Sequence, residues 1–127
     1  MSFLNRVVLI GRLCQDVDIR QTSSGTPVGN FTLAVDRAFK KQDGTRDTDF
    51  LRIVVWDKAA EACSKYIGKG SLVAIEGRIQ SRSYETQDGQ KRTAVEVVAE
   101  NVRYLDKYEK KEETAEEFDP NIGDPPF

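Results

Sequence analysis

Residues 49–79 read DFLRIVVWDKAAEACSKYIGKGSLVAIEGRI, and the order of patterns in this stretch decides the fold. Its first part alternates: Leu51, Ile53 and Val55 are aliphatic, and Phe50, Arg52, Val54 and Trp56 fall between them. A period of two places the first set on a core face and the second on the opposite face of a strand. The period then changes. In WDKAAEACSKYIGKG the apolar residues Ala59 or Ala60, Cys63 and Ile67 recur at three- and four-residue spacing, with Asp57 placed as N-cap and Gly68 as stop. After Gly70 the period of two returns, with Val73, Ile75 and Ile79 on one face and Arg78, Gln80, Arg82 and Tyr84 on the other. The stretch is strand, helix, strand.

Outward from it lie three more segments rich in Val, Ile, Thr and Phe and bounded by Gly, Asp and Ser: residues 3–13, 26–36 and 91–105. With 48–56 and 70–84 they make five strands. Asp-Gly pairs at 43–44 and 88–89 lie between neighbouring strands and predict hairpin turns. Five strands with a single helix between the third and fourth is the order of an OB-fold, a partly open all-β barrel.

Composition fits one such domain with an appendage. The 127 residues are 39% hydrophobic and 31% charged, enough for one sizeable core. The net charge of −2 is segregated. Residues 1–108 hold 17 Lys/Arg against 14 Asp/Glu, and residues 109–127 hold 2 against 7. From about Asp106 the chain reads DKYEKKEETAEEFDPNIGDPPF, without a period-two apolar pattern and too charged to bury. It is expected to be a disordered acidic tail over 108–127 behind a domain of 1–107, with a short helix through 107–117 as the competing expectation. The longest uncharged apolar run is VVLIG at 7–11, and MSFLNRVV has no secretory-signal pattern, so a cytoplasmic protein without membrane attachment is expected. Cys14 and Cys63 have no CxxC spacing and read as small core residues.

The non-core faces carry the functional signal. Phe50, Arg52 and Trp56 share one face, and Arg78, Arg82 and Tyr84 share another. A strand facing plain solvent would show Lys, Glu and Thr there instead. Flat rings accept stacked bases of any sequence, and interleaved cations follow a phosphate backbone, so the pattern suits binding of an unpaired nucleic-acid strand. Phe39 is placed less firmly. Phe31, Leu33 and Val35 line the core of the second strand, and strict alternation puts Phe39 with them unless a bulge or loop begins after Asp36. Its neighbours Arg37, Lys40, Lys41 and Arg46 make the following loop basic. The candidate phosphate contacts are these four with Arg6, Arg12, Arg52, Lys58, Lys69, Arg78, Arg82, Lys91 and Arg92; in the 85–92 hairpin the last two are balanced by Glu85 and Asp88.

The rival function is metal-assisted cleavage, with Asp16 and Asp18, or Asp47 and Asp49, as ligands. The chain has no histidine, hence lacks the commonest general base and metal ligand, and contains neither GxxxxGK[ST] nor GxGxxG. No catalytic residue, metal or cofactor is expected.

These residues carry a resemblance. NRVVLIGRLCQDVDIR at 5–20, NFTLAV at 30–35, residues 49–79, DGQKRTAVEVV at 88–98 and the terminal PPF together resemble the bacterial single-stranded DNA-binding protein family over nearly the whole chain. The resemblance implies base stacking on Phe39, Phe50, Trp56 and Tyr84. It also implies a homotetramer built from first-strand pairing and sheet packing. The first strand is compatible, with Arg6, Val8, Ile10 and Arg12 on a partly apolar outer face opposite Val7, Leu9 and Leu13. Finally it implies that the tip, Asp124, Pro125, Pro126 and Phe127, is captured by replication, recombination and repair proteins in a basic-rimmed pocket. This tip departs from the family pattern: only Asp124 adjoins it, Gly123 intervenes, and Pro125 stands where an aliphatic residue is usual.

Overall fold

The structure, a computed structural model, describes residues 3–106. Its elements are β1 (Val7–Leu13), β2 (Asp18–Gln21), β3 (Pro27–Lys40), β4 (Arg46–Trp56), α1 (Asp57–Tyr66), β5 (Leu72–Glu85) and β6 (Lys91–Tyr104). The sheet runs β1-β5-β6-β4-β3-β2, and a further β1–β3 pairing closes five of the strands into a barrel. Among the described residues only β4 and β6 pair in parallel. The five expected strands and the one helix are all present. The 108–127 segment, the 107–117 helix and the Asp124–Phe127 tip lie outside the described residues.

The core forms where the alternation places it. Leu13, Phe31, Leu33, Ile53, Val55, Val73, Ile75 and Val97 are buried together with Ala60, Cys63 and Ile67 from the helix segment. Close approach of backbones sets two glycines. A Cβ on Gly11 would strike the Ala34 carbonyl where β1 meets β3, and one on Gly77 would strike the Val98 carbonyl at the register shift of β5 against β6. Barrel closure and sharp strand bending both depend on that missing atom.

Four expectations are corrected. The short strand β2 was not expected, because DIRQ is four residues long and exposed throughout, with no buried face to leave a pattern. Asp57 is not the N-cap. Trp56 occupies that position without a side-chain hydrogen bond, and Asp57 takes a positive φ of 59°. The chain passes from β4 into α1 with no linker, and Asp tolerates the left-handed conformation that absorbs the change of direction. Gly68 does not stop the helix. Ile67 does, in extended conformation, and the Gly68 N–H donates to Ser71 Oγ at 3.0 Å. Ile79 has core parity yet is 46% exposed, because the β1–β5 pairing ends at Val7 opposite Gly77, two residues short of it.

Both Asp-Gly pairs do form hairpin turns, and a third, unforeseen Ser24-Gly25 turn repeats their geometry. In Thr22–Thr26, Lys41–Thr45 and Thr86–Gln90 the first residue's N–H donates to the fifth carbonyl, and the glycine N–H donates back to the first carbonyl. Each glycine has φ between 86° and 88°, which only glycine adopts freely.

Candidate nucleic-acid interface

Strand register brings the predicted residues of β3 and β4 onto one outer face. Trp56 lies opposite Val28, Val54 opposite Asn30, Arg52 opposite Thr32 and Phe50 opposite Ala34. Phe50 to Trp56 spans six residues, or about 20 Å of strand. The row continues across the barrel, since Val54 pairs with Val98 and Val98 with Arg78. Val54 and Val98 are each 6% exposed although they face outward. They form the apolar floor of a shallow trough, and the sequence pattern, which grouped Val54 with the exposed rings, did not show this.

Two ribbons project beside the trough. In the β3–β4 ribbon the pairing register shifts between Asp36 and Lys40, which is the bulge that frees Phe39 from core parity, and Phe39 is 87% exposed. In the β5–β6 ribbon Tyr84 lies opposite Arg92 and Arg82 opposite Ala94. Phe50, Trp56 and Tyr84 are also exposed, though less than Phe39. Phe39 therefore packs against little in the chain itself, whereas Trp56 and Tyr84 are more than half covered by it.

The cations divide by what they touch. Arg37 makes three hydrogen bonds to the Asp49 carboxylate, and Lys41 Nζ is 2.8 Å from Asp47. The Arg37 hydrogen bonds hold the Asp49 carboxyl below the usual carboxylate range. Two of the carboxylates considered as metal ligands are therefore occupied by cations. Arg82 lies 3.7 Å from Glu96, a buried carboxylate that also accepts from Gln80 Nε2 at 2.9 Å. Lys40, Arg46, Arg52, Lys58, Lys69, Arg78, Lys91 and Arg92 have no ion-pair partner among the described residues. Lys58 lies beside Trp56 at the start of α1, and Lys69 beyond its end. Arg6 and Arg12 sit on the outer face of β1, paired with Glu76 and Asp106. Arg12 is in register with Ala34, and through it with Phe50, whereas Arg6 lies at the far end of β1 beside Glu76 of β5. Register thus places Arg52 and Arg78 with Phe50 and Trp56 around Val54 and Val98, sets Phe39, Lys40, Arg46, Tyr84, Lys91 and Arg92 along the two ribbons, and leaves Arg6 apart.

The turn tips are locked by their own side chains. Thr45 Oγ1 donates to Asp43 at 2.7 Å, and Thr86 Oγ1 donates to Asp88. These bonds lower both carboxyl pKa values. A recess beside Phe50 is lined by Gln15, Asp18, Asn30, Thr32 and Arg52. Of these only Arg52 was expected to meet a strand; Asp18 was weighed as a metal ligand, Asn30 and Thr32 share the outer face of β3 as ordinary polar residues, and Gln15 lies on a loop without periodicity.

A closed five-stranded barrel with its helix between the third and fourth barrel strands is an OB-fold. Residues 4–105 match the single-strand binding protein family, and the chain belongs to that family. Among similar proteins, the Bacillus cereus single-stranded DNA-binding protein is 50% identical over 103 residues, a match that covers 81% of this chain and 61% of the relative. The chain thus spans about three fifths of that relative's length. Single-stranded DNA-binding protein 2 of Listeria innocua is likewise 50% identical over 103 residues, covering 81% of this chain and 65% of the relative. Single-stranded DNA-binding protein 1 of Streptococcus pyogenes is 47% identical over 125 residues, covering 97% and 96%.

Proposed function

We propose that the chain binds single-stranded DNA without sequence specificity, by stacking bases on Phe39, Phe50, Trp56 and Tyr84 and pairing phosphates with the surrounding Lys and Arg. The observation that carries this is the placement of exposed rings and unpaired cations around one trough on β3–β6. An apolar floor with rings at its sides suits unstacked bases, and cations at its rim suit a flexible backbone. A duplex hides its base faces, so it gains only the charge term. Membership of the family and the names of the relatives support the same reading.

The proposal extends to assembly and partners. Val8 is 65% and Ile10 58% exposed on β1, an apolar edge that suits burial against further copies in a homotetramer. The terminal Asp124, Pro125, Pro126 and Phe127 would recruit replication, recombination and repair proteins. The protein would act in the cytoplasm on nucleoid DNA, protecting exposed strands without catalysing a reaction and without a cofactor. No helix among the described residues is long and apolar enough to cross a membrane.

The deciding experiment compares affinity for unpaired DNA, unpaired RNA and duplex of equal length. Tight binding of the unpaired DNA alone is expected. Equal affinity for duplex would reduce the trough to a charged surface, and a preference for RNA would assign a different strand.

A further inference from the structure

The recess beside Phe50 has a volume of about 380 Å³ and is lined by Gln15, Asp18, Asn30, Phe31, Thr32, Phe50 and Arg52. That size lies within the range of pockets that hold a small ligand group. Its walls come from three elements in register: Asp18 of β2 is opposite Asn30 of β3, and Thr32 of β3 is opposite Arg52 of β4. Gln15, on the loop after β1, completes it. Stacking on Phe50 needs only a flat ring. Polar groups gathered around a stacking ring do something further, because they meet the edge of whatever base lies there.

From this arrangement we infer that the recess is a guanine-reading subsite within an otherwise sequence-tolerant trough. This rests on the strand-binding proposal above. Among the described residues, the side chains of Gln15, Asn30, Thr32 and Arg52 make no hydrogen bond to another residue. Asp18 is held only by Arg20 on its own strand, with Nε 3.3 Å from Oδ2 in an exposed pair, which a ligand can displace at little cost.

The chemistry of the lining selects the base. Amide and hydroxyl side chains turn to offer a donor or an acceptor, but an ionised carboxylate only accepts. Two carboxylate oxygens side by side match two adjacent donors. Guanine alone presents such a pair, N1–H and the N2 amino group. Thymine offers N3–H between two carbonyl oxygens. Adenine and cytosine each offer one amino group beside a ring nitrogen lone pair, which faces the second carboxylate oxygen unfavourably. With guanine on Asp18, its O6 accepts from Asn30 or Gln15 amide N–H groups or from Arg52. Arg20, released from Asp18, is then beside the strand and free to meet a phosphate.

The test uses decamers of thymidine that carry one central dG, dI, dA or dT. Deoxyinosine keeps N1–H and O6 and lacks the N2 amino group, so no protein variant is needed for the first comparison. The dG decamer is expected to bind about fivefold tighter than the all-thymidine decamer, the low end for a bidentate base contact because the site is open to water. The dI decamer should lose most of that gain. Asp18→Asn should abolish the dG preference while the all-thymidine decamer binds at least as tightly as before, since the change removes a carboxylate and frees Arg20; a merely structural Asp18 would weaken all four decamers alike. If the wild-type protein binds all four decamers equally, the recess does not read guanine although strand binding stands. If it binds none of them, the strand-binding proposal itself fails.

Discussion

Replacing Phe39 by alanine separates binding from stability more cleanly than any other change in the trough. The ring is 87% exposed, so of about 200 Å² that a fully buried aromatic removes from water, only about 26 Å² is covered. At about 25 cal/mol per Å² that is worth about 0.6 kcal/mol, or a fall in Tm of no more than about 4 °C for a domain of this size. A stacked base lost from the same ring is worth about 1–3 kcal/mol, which is about a five- to 150-fold rise in Kd. The assay is a fluorescence-anisotropy titration with unpaired DNA at fixed salt, paired with thermal melting. Phe39→Ala is expected to melt almost as the wild type and to bind much more weakly. An unchanged Kd would refute stacking at this position. A large fall in Tm would refute the claim that Phe39 packs against little in its own chain.

Four further outcomes are expected. Trp56 is the single tryptophan, so unpaired DNA should quench the intrinsic tryptophan emission, and Trp56→Ala should weaken binding by about 1–3 kcal/mol; unchanged emission at saturation would remove Trp56 from the site. Arg52 and Arg78 have no ion pair among the described residues, so the double change to alanine should flatten the slope of log K against log salt by about 1.4, at about 0.7 per phosphate contact. Arg6→Ala, away from the trough, should leave the slope unchanged, and the reverse result would move the phosphate path onto β1. Acid should loosen the ribbons before the barrel, since the folded-state pKa values of Asp43, Asp49 and Asp88 are lowered. Their contribution is present above the ordinary carboxylate range and is lost as pH falls through the depressed values. Hydrogen exchange at low pH should therefore rise at residues 41–45 and 86–90 while Phe31 and Ile53 stay protected; uniform exchange would contradict it. Deleting residues 124–127 should leave strand affinity nearly intact and abolish partner recruitment in a pull-down, with Phe127→Ala reproducing most of the loss; equal capture by all three forms would make the tip irrelevant.

What was legible in the sequence was whatever burial on one face makes periodic. Ile53 and Val55 point into a core with no exposure at all, so their alternation with Phe50, Arg52 and Trp56 identified β4 and its outer face together. The same logic named Tyr84. It misplaced Ile79 because β5 runs on beyond its last pair with β1 at Gly77, and parity does not say where that cover ends. It expected Val54 among exposed residues because a period of two separates faces without saying how deep each face lies. Phe39 needed a bulge that alternation allows for and does not place. Asn30 and Gln15 were out of reach and Asp18 was weighed only as a metal ligand, since each is an ordinary polar residue where it stands and the unexpected strand β2 is what brings Asp18 beside Asn30. Turn chemistry was clear where Asp-Gly signalled it and overlooked at Ser24-Gly25, which has the same geometry with a weaker signature.

The closure of the barrel has a consequence for how the chain is made. β1 pairs with β3 through only two residues, Arg12 with Ala34 and Leu13 with Leu33, and finds its six-residue partner in β5. Arg12 meets Leu72 and Val7 meets Gly77, partners 60 to 70 positions further along the chain. At about 5–20 residues per second of synthesis, β1 waits about 3–14 s for the strand that completes it. Throughout that interval Val7–Leu13 is an unpaired, largely aliphatic strand in water, the kind of segment that pairs with whatever edge it meets. Arg6 just before it and Arg12 near its end then act as gatekeepers, their charges keeping a nascent β1 from pairing wrongly until Leu72–Glu85 arrives.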